Sequence, residues 1–300
     1  MTSLSLVGDD TSLSIRAGDV ELCRYVYVSD VAQFESPRPY LHPVRTLRGH
    51  LVSLYRPHDH VWHKGISLAL PNVGEANFWG GPTFVRGKGY VQLPNNGTQR
   101  HEGFDVADVA DGVARIRERL TWVTEQGETW LTEVRELRVS PLADESAWRL
   151  SFATALTNRR GRAIPFGSPT TEGRPKAGYA GLFWRGPRSF NKGAILASDG
   201  PGGPGMMGER AAWLAYVGKH DEVDASSTVV FRDAASNPGH PTKWFVRDDP
   251  YACVCPAPFF DEVVELPDGE TLSLQYDVLI ADGAWDSERI ASTLAALPAL

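Results

Sequence analysis

The chain of 300 residues contains little cysteine and no long hydrophobic segment. Its three cysteines, Cys23, Cys253 and Cys255, form no recognisable disulfide framework, and the last two are separated by one residue, which is too close for a normal disulfide. We therefore expect reduced cysteines in a cytoplasmic protein. No apolar run approaches the ~18 residues that span a bilayer. No basic segment followed by an apolar core begins the chain, so we also expect no signal peptide.

The chain also lacks a basic surface stripe and the motifs of several enzyme classes. Its formal net charge is −7, which disfavours nucleic acid or an anionic membrane as a partner. It has no Gly-x-Ser-x-Gly nucleophile motif. No Gly-x-Gly-x-x-Gly follows a predicted strand and no phosphate loop is present, so a nucleotide cofactor is not expected. A small molecule is the expected partner, and the sequence leaves open whether the protein forms a homo-oligomer.

Turn residues are abundant, with 29 glycines and 21 prolines scattered between short alternating segments. Residues 20–28, 113–125 and 128–140 alternate between apolar and polar side chains as strands do. Gln126-Gly127 separates the last two runs, which predicts a long antiparallel hairpin. Further strands are predicted at 147–157, 179–185, 211–217, 226–232, 243–247 and 271–281.

One segment has the pattern of a helix. Asp286 or Ser287 can cap a helical run over 288–297 that Pro298 ends, and we expect this helix to pack on the outside of the sheets. Many short strands with almost no helical periodicity indicate an all-β fold, either a large antiparallel β-sandwich or a barrel. We interpret residues 1–300 as a single β-sandwich domain with few short helices and a C-terminal helix.

Three of the eight histidines lie between Pro57 and Gly65. Because Pro57 and the β-favouring Val61 and Trp62 predict an extended chain over 58–62, His58, His60 and Trp62 are expected on one face. A His-x-His pair on a strand can offer two imidazoles to one metal ion. However, His63 is then expected on the other face, and no carboxylate follows at a familiar spacing.

This histidine-rich segment therefore has three interpretations. No cofactor is favoured, and a divalent metal held by His58 and His60 is one alternative. The second alternative is that the histidines are ordinary hydrogen-bonded side chains in a polar loop. The third is proton transfer or substrate contact, since imidazoles in a cleft exchange protons at neutral pH.

A second cluster combines aromatic, glycine and amide residues. Phe78-Trp79 precede two glycines, and glycines beside an aromatic allow the backbone to approach a ligand such as a sugar ring. A tight turn with a core tryptophan is an equal alternative. Asn95 and His101 follow in a polar stretch, where Arg100 and Glu102 flank His101.

Two later clusters also carry polar side chains that suit substrate binding. Glu172 and Arg174 lie two residues apart, so both can face one cavity on an extended chain. Arg185 follows Tyr179 and Trp184 in an apolar strand, where a buried arginine needs an anionic or hydrogen-bonding partner. For Arg185, a carboxylate of the protein and the oxygen atoms of a substrate are equally expected partners. A loop rigidified by two prolines presents Asn237, His240 and Lys243, and such loops often carry function. An ordinary structural histidine beside a proline is an equal alternative for His240.

Taken together, these clusters resemble a family of bacterial proteins known as PmoA-like. The resemblance covers most of the chain and rests on Arg38–Pro43 with Gly49-His50, Asp59–Gly65 with Phe78-Trp79, Glu172–Arg174, Gly181–Arg185, His240–Phe245 and Ala281–Gly283. The sequence departs from the family where Val61-Trp62 stand in place of an expected Pro-His pair, which weakens the metal interpretation.

The family takes its name from a methane oxygenase subunit that is a membrane protein, and that activity does not fit a chain without a spanning segment. The resemblance implies instead a β-sandwich similar to the galactose-mutarotase-like supersandwich, in gene surroundings concerned with sugar use. Enzymes of that kind act on a sugar in a concave sheet with His, Glu and Arg side chains.

We therefore expect a carbohydrate-active enzyme, acting as an epimerase, a lyase or a glycoside-processing enzyme. One of His60, His63 or His101 is expected to serve as general acid or base, with Glu172 as its counterpart. The expected substrate-binding residues are His58, Lys64, Trp79, Asn95, Arg174, Tyr179, Trp184, Arg185, Asn237 and His240. The alternatives are a non-catalytic sugar-binding module or sensor, and a metal-dependent oxygenase or hydrolase that uses His58 and His60.

Overall fold

The computed structural model describes residues 3–142 and 146–298, so the ends of the predicted domain at residues 1–2 and 299–300 lie outside the described residues. Within these ranges the chain forms two large antiparallel sheets and two small ones. The strands are β1 (Leu4–Gly8), β2 (Ser12–Ala17), β3 (Val20–Val26), β4 (Tyr40–Val44), β5 (Ile66–Ala69), β6 (Asn72–Val73), β7 (Thr83–Val85), β8 (Gly89–Val91), β9 (Thr98–Ala110), β10 (Val113–Val123), β11 (Thr129–Pro141), β12 (Ala147–Asn158), β13 (Ile164–Gly167), β14 (Gly181–Arg185), β15 (Ala194–Ala197), β16 (Trp213–Lys219), β17 (Ser226–Asp233), β18 (Trp244–Arg247), β19 (Cys253–Pro256), β20 (Val264–Leu266) and β21 (Thr271–Asp282).

Each large sheet has eight strands. The first sheet has the order β1-β2-β3-β4-β5-β14-β19-β18, and the second has the order β15-β16-β17-β21-β12-β11-β10-β9. The small sheets are β20-β13-β6 and the pair β7-β8. Two separate large sheets confirm the predicted antiparallel β-sandwich and show that the alternative, one large barrel, was wrong.

The predicted hairpin is present between β10 and β11. These strands pair from Ala114 opposite Val139 to Val123 opposite Thr129. Gly127 in the connecting turn has a φ of +87°, which favours glycine over residues with a side chain. The other predicted strands are also found, with ends displaced by a few residues. Period-two alternation therefore identified part of the strands correctly, whereas others, such as the 13-residue β9, were not predicted.

The predicted helix is α1 (Ser287–Ala296), and it packs on the outside of the second sheet. The Asp286 side chain accepts a hydrogen bond from the backbone N–H of Arg289 at 2.8 Å, which caps the helix. Ile290 and Leu294 pack with residues of β16, β17 and β21 such as Trp213. None of the helices in the described residues has the length and apolar character needed to cross a bilayer.

The main core lies between the two large sheets. Along β14, Leu182 and Trp184 point into this core, whereas Phe183 belongs to a separate apolar cluster on the opposite face of the sheet. Trp184 is fully buried and donates a hydrogen bond from its indole N–H to the Val52 carbonyl at 2.7 Å. The residue predicted to bind substrate therefore packs inside the sandwich. The outer face of the first sheet is left to form a pocket.

A buried polar network also lies within the sandwich. The guanidinium of Arg135 donates to both carboxylate oxygens of Glu133, at 2.7 and 2.9 Å, and to the Gln99 side chain at 2.9 Å. The Tyr25 hydroxyl donates to Glu118, which is fully buried. These mutual hydrogen bonds allow charged groups to be buried at a tolerable cost.

Candidate functional site

A pocket of about 420 Å³ lies on the outer face of the first sheet. Phe183 of β14 and Phe245 of β18 contribute to its apolar floor. Loops and the short strand β8 supply aromatic walls, and four side chains with imidazole or guanidinium groups face the cavity between them. The wall aromatics are Trp62, Trp79, Tyr90, Tyr179 and Tyr251, and the four polar side chains are His60, His63, Arg174 and Arg247. Mostly apolar linings with a few convergent polar groups are typical of small-molecule sites.

The histidine-rich segment forms two successive turns, so the prediction of an extended chain over 58–62 was wrong. The His60 backbone N–H donates to the Pro57 carbonyl at 3.0 Å, and the His63 N–H donates to the His60 carbonyl at 2.9 Å. Buried contacts between this segment and Arg185 override the local β-propensity. The turns bring the rings of His60 and His63 together, with centroids 4.6 Å apart and planes at 12°.

The ring of His60 is oriented by Asp59. Its Nδ1 lies 2.8 Å from Asp59 Oδ2, and Asp59 also accepts hydrogen bonds from Arg185 at 3.0 Å and Arg188 at 2.6 Å. Burial alone would raise the pKa of Asp59, but the hydrogen bonds from His60 and Arg185 outweigh burial and hold this pKa well below its usual range. An ionised carboxylate only accepts hydrogen bonds, so His60 carries its proton on Nδ1 and leaves Nε2 as a proton acceptor.

The ring of His63 has the opposite tautomer. Its Nδ1 lies 2.8 Å from Nη1 of Arg185, and a guanidinium only donates hydrogen bonds. Nδ1 of His63 is therefore the acceptor, and the proton of the neutral ring resides on Nε2. No protein group in the described residues hydrogen-bonds to Nε2 of either histidine. The two stacked imidazoles thus combine one free proton acceptor with one free proton donor.

Both imidazoles are uncharged at neutral pH. Burial lowers the pKa of His60, and the opposing hydrogen bond to Asp59 does not cancel that effect. Burial holds the pKa of His63, which is 3% exposed, well below its ordinary value, and the charge of Arg185 acts in the same direction. Since the ordinary histidine pKa is about 6.5 and both pKa values are lowered, the uncharged form predominates on both rings at pH 7.

A buried arginine ties the walls of the pocket together. Arg38 donates hydrogen bonds to the carbonyls of Trp79 at 2.9 Å and Trp62 at 2.6 Å, and to Ser67 on β5 at 3.2 Å. It is 1% exposed. Arg38 lies in one of the motifs singled out in the sequence, but no role was predicted for it. It fixes two aromatic walls to the sheet below.

The paired glycines make room for an aromatic wall, because Trp62 packs directly on them. A Cβ at Gly81, where φ is +69°, would lie 2.7 Å from the Trp62 ring, whereas a Cβ at Gly87, where φ is +76°, would meet nothing within 4 Å. We expect Gly81→Ala to displace Trp62 and to cost about 1–3 kcal/mol from overpacking, in addition to about 1–2 kcal/mol from backbone strain.

Gly87→Ala is the matched control for this prediction, because it carries the backbone strain without the contact. Tryptophan fluorescence and chemical denaturation measure the two effects separately. We expect altered fluorescence and the larger loss of stability only for Gly81→Ala. Equal effects of the two substitutions would contradict the proposed packing of Trp62.

The structure brings six of the predicted site residues together. Five of these side chains line the pocket, and the sixth, that of Arg185, is fully buried beside it and holds His63 and Asp59. The five are His60, His63, Trp79, Arg174 and Tyr179. Trp79 also agrees in part with the alternative prediction of a core tryptophan, because only 5% of its surface is exposed.

The other two predicted residues of the histidine-rich segment do not line the pocket. His58 is exposed, and its Nδ1 lies 3.3 Å from a donor of Arg188. It therefore does not share a face with His60. Lys64 is buried and forms an ion pair with Glu35 at 3.0 Å. Burial lowers the pKa of Lys64 to about 8, against the opposing effect of Glu35.

Five further predicted residues lie elsewhere in the protein. His101 hydrogen-bonds to the buried Glu118 at 2.6 Å, and Asn95 bonds to the Glu75 carbonyl at 2.9 Å. Glu172 lies in a turn and does not line the pocket. Asn237 and His240 both bond to one buried carboxylate, Asp233, at 2.7 and 2.8 Å. His101 lies on strand β9 and the other four lie in loops, and the structure does not bring these side chains to the pocket of His60.

Several pocket residues were not predicted. Arg247 ends a short apolar strand, as Arg185 does, and this pattern is a signal that was available. Asp59 stands next to His60, where a carboxylate can orient the ring. No sequence signal distinguishes the apolar and aromatic lining residues from core residues of the same type. They are Phe183, Phe245, Tyr90 and Tyr251.

Two of the cysteines belong to the apolar layer at the pocket floor. Cys253 and Cys255 are free, fully buried and packed in the cluster that contains Phe183. Burial raises the pKa of Cys253 to about 12. A thiol with such a pKa is not a thiolate at neutral pH and is a poor nucleophile.

Among residues 3–142 and 146–298, no three His, Cys, Asp or Glu side chains are grouped so that they can hold a metal ion. The geometric reason for pairing His58 with His60 also disappears with the predicted strand. The interpretation of these two histidines as a metal site stays untested.

The fold and the site define an all-β sandwich protein with a largely apolar pocket on the outer face of one sheet. The chain belongs to a family of unknown function, DUF6807, whose model matches residues 12–295. This match does not confirm the PmoA-like resemblance. No curated protein sequence matches the chain.

Several solved structures of carbohydrate enzymes are distantly similar to this chain. The heparan sulfate lyase HepC from Pedobacter heparinus is 7% identical with a TM-score of 0.40, over 95% of this chain and 36% of the lyase. An alpha-galactosidase from Lactobacillus brevis is 10% identical with a TM-score of 0.40, over 94% of this chain and 40% of that one. A galactose mutarotase related enzyme from Lactobacillus acidophilus is 8% identical with a TM-score of 0.29, over 95% and 98% of the two chains. The chain spans well under half of the lyase and the galactosidase, and similarities this low carry no argument about its activity.

Proposed function

We propose that the pocket binds a carbohydrate and that His60 and His63 transfer protons on it. The observation that carries this proposal is the stacked histidine pair, in which Asp59 and Arg185 fix opposite tautomers. A protein that only binds a sugar has no need of two uncharged imidazoles with free Nε2 atoms of opposite character. The pair supplies the acid and the base that catalysis requires.

The proposed roles follow from the tautomers. Nε2 of His60 accepts a proton from a sugar hydroxyl or from a C–H group beside a carbonyl. The Nε2–H of His63 donates a hydrogen bond to the oxygen on which negative charge develops. An uncharged imidazole is an effective donor to such an oxygen when its pKa is low, because the proton is shared and not lost. Arg185 is a positioning residue that holds both histidines in place through His63 and Asp59.

The walls of the pocket support a sugar as the ligand. Trp62 and Trp79 present aromatic surface, and the hydroxyl groups of Tyr90 and Tyr179 lie 2.7 Å apart. Aromatic faces pack on the C–H groups of a sugar ring while the phenol groups bond its hydroxyls. The volume of about 420 Å³ lies within the range of small-molecule sites.

The lining favours some of the expected reactions over others. Glycoside hydrolases ordinarily use two carboxylic acids on either side of the scissile bond. None of the described residues that line this pocket is an Asp or a Glu. In ring opening and elimination, Nε2 of His60 takes a proton from the sugar, the Nε2–H of His63 bonds the oxygen that becomes negative, and the protonated His60 gives its proton to the oxygen that departs as the C–O bond breaks. In epimerisation, the planar intermediate must turn over before His60 returns the proton to its other face. We therefore propose an isomerase or lyase activity, with His63 in the role predicted for Glu172.

The pH dependence of turnover tests the role of His60. The base must be uncharged, and burial lowers its pKa from about 6.5. We therefore expect kcat/KM to stay constant between pH 7 and 8 and to fall on the acid side with a midpoint below about 6.5. A midpoint at or above 6.5 would exclude a buried, uncharged His60 as the base in the free enzyme.

A screen of sugars, keto-sugars and glycosides by NMR tests the proposed activity, because one spectrum reports epimerisation, elimination and hydrolysis. We expect epimerised or eliminated products from at least one sugar. Binding of sugars without turnover of any of them would instead support a non-catalytic sugar-binding module.

A further inference from the structure

Two guanidinium groups line the pocket without a carboxylate partner among the residues that the structure describes. Arg174 donates a hydrogen bond to the Tyr90 hydroxyl and lies over that ring, 4.9 Å from its centroid. Arg247 lies 5.4 Å from the centroid of the Phe245 ring, and its buried Nε has no hydrogen-bond partner in the described part of the chain. Neither arginine forms an ion pair with a described residue.

Three other arginines that lie wholly or largely inside the protein are paired with acids, whereas the buried Arg38 bonds to backbone carbonyls and to Ser67. Arg135 bonds to Glu133, Arg185 bonds to Asp59, and Arg149 bonds to Asp277 at 2.6 Å. Acidic residues are also close to the two pocket arginines along the chain. Glu172 lies two residues from Arg174, and Asp248 and Asp249 follow Arg247, yet none of these carboxylates lines the pocket.

The pocket is therefore a locally positive site on a chain with a net charge of −7. Both arginines are half-buried, and a cation that is partly removed from water loses part of its hydration energy unless a counter-charge compensates. Asp59 does not supply that charge to the pocket, because Arg185 and Arg188 already engage it. An anionic ligand bound in the pocket can supply the counter-charge for Arg174 and Arg247.

We propose that the sugar bound in this pocket carries an oxyanion, a carboxylate or a phosphate, which Arg174 and Arg247 hold. The proposal deepens the proposed function and rests on the sugar-binding part of it. A guanidinium presents parallel N–H donors that match the two oxygens of a carboxylate or phosphate. Tyr90 already orients Arg174 for this contact.

The position of Arg247 links this anion to the histidine pair. Its charge is close enough to His60 to contribute to the lowered pKa of that ring. An anion bound to Arg247 neutralises this charge and makes His60 a stronger base when the ligand is present. The ligand would thus activate the group that acts on it.

Calorimetric titration with matched sugars tests the proposal. The probes are D-glucuronate, D-galacturonate and D-mannuronate, the corresponding hexose 6-phosphates, and the neutral hexoses. We expect at least one anionic sugar to bind more than 10-fold tighter than its neutral counterpart. Its affinity should also fall as ionic strength rises, because salt screens the charge interaction.

Variants of the two arginines provide the second readout. Arg247→Gln and Arg174→Gln should each weaken binding of the anionic sugar by about 10- to 100-fold, as expected for loss of charge-assisted hydrogen bonds. Arg247→Lys should retain part of the affinity because it keeps the charge. The matched control is Arg162→Gln, which removes an exposed arginine outside the pocket and should leave the affinity unchanged. Thermal unfolding of each variant shows whether it is folded.

The results distinguish a carboxylate from a phosphate as the bound oxyanion. They also test the role of the arginines separately from the role of the histidines. Preference for a uronate or for a hexose phosphate identifies the oxyanion, and either result supports the proposal. Equal affinity for neutral and anionic sugars, no binding of any anionic sugar, or unchanged affinity in both folded glutamine variants overturns it. His60→Ala should retain binding of the anionic sugar, so unchanged turnover in that variant overturns the acid–base role and leaves the arginine result standing.

Discussion

Replacing His60 by alanine is expected to lower kcat by about 10²- to 10⁴-fold, the range that general acid–base catalysis contributes. The expected cause is loss of the unprotonated Nε2 that accepts the proton, since Asp59 and Arg185 remain in place. His60 is only half-buried, so we expect the variant to fold. The measurement is turnover of the sugar identified by NMR, together with its binding affinity.

The control for this variant is His50→Ala. His50 is a half-buried histidine whose ring contacts His220 and does not line the pocket. We expect kcat in this control to be within twofold of the unsubstituted protein. A His60→Ala protein that turns over substrate at the normal rate would show that His60 is not the base. A change in KM alone would assign His60 to binding.

Replacing Arg135 by methionine is expected to lower the free energy of unfolding by about 3–5 kcal/mol, the usual cost of breaking a buried ion pair from one side. The substitution leaves Glu133 fully buried beside Glu118 without the guanidinium between the sheets. The loss comes from these uncompensated carboxylates and not from lost apolar contact. Chemical denaturation followed by circular dichroism measures it.

Arg138 on the same strand provides the matched control. Its side chain is 65% exposed and lies 3.7 Å from Glu136. We expect Arg138→Met to change the free energy of unfolding by less than about 0.5 kcal/mol, as exposed substitutions usually do. Equal losses for the two variants would mean that the buried network does not stabilise the sandwich.

Part of the strands and the helix could be predicted because their signals are local. Alternation of apolar and polar residues marks the hairpin of β10 and β11, and Asp286 with Pro298 marks the ends of α1. Alternation does not show which sheet a strand joins or which of its faces meets the core. Trp184 was therefore assigned to a binding site although it points between the sheets.

The site could be predicted only in part, because its geometry depends on contacts between distant residues. The histidine-rich segment was recognised from its chemistry, but its shape was not, since Arg185 contacts Asp59 across 126 positions of the chain. That ion pair favours turns where local propensity favours a strand. Phe245 and Arg247 join the pocket only because β18 lies in the same sheet as β14. The predicted partners His101 and Glu172 are polar in sequence but lie outside the pocket.

The most direct test of the central claim is ¹⁵N NMR of the histidine ring nitrogens at pH 7. This measurement distinguishes the two tautomers of an uncharged imidazole from each other and from the protonated ring. We predict that His60 carries its proton on Nδ1 and that His63 carries its proton on Nε2, as their hydrogen bonds to Asp59 and Arg185 require. The same tautomer on both rings, or a protonated ring at either position, would contradict the proposed pairing of one base with one donor.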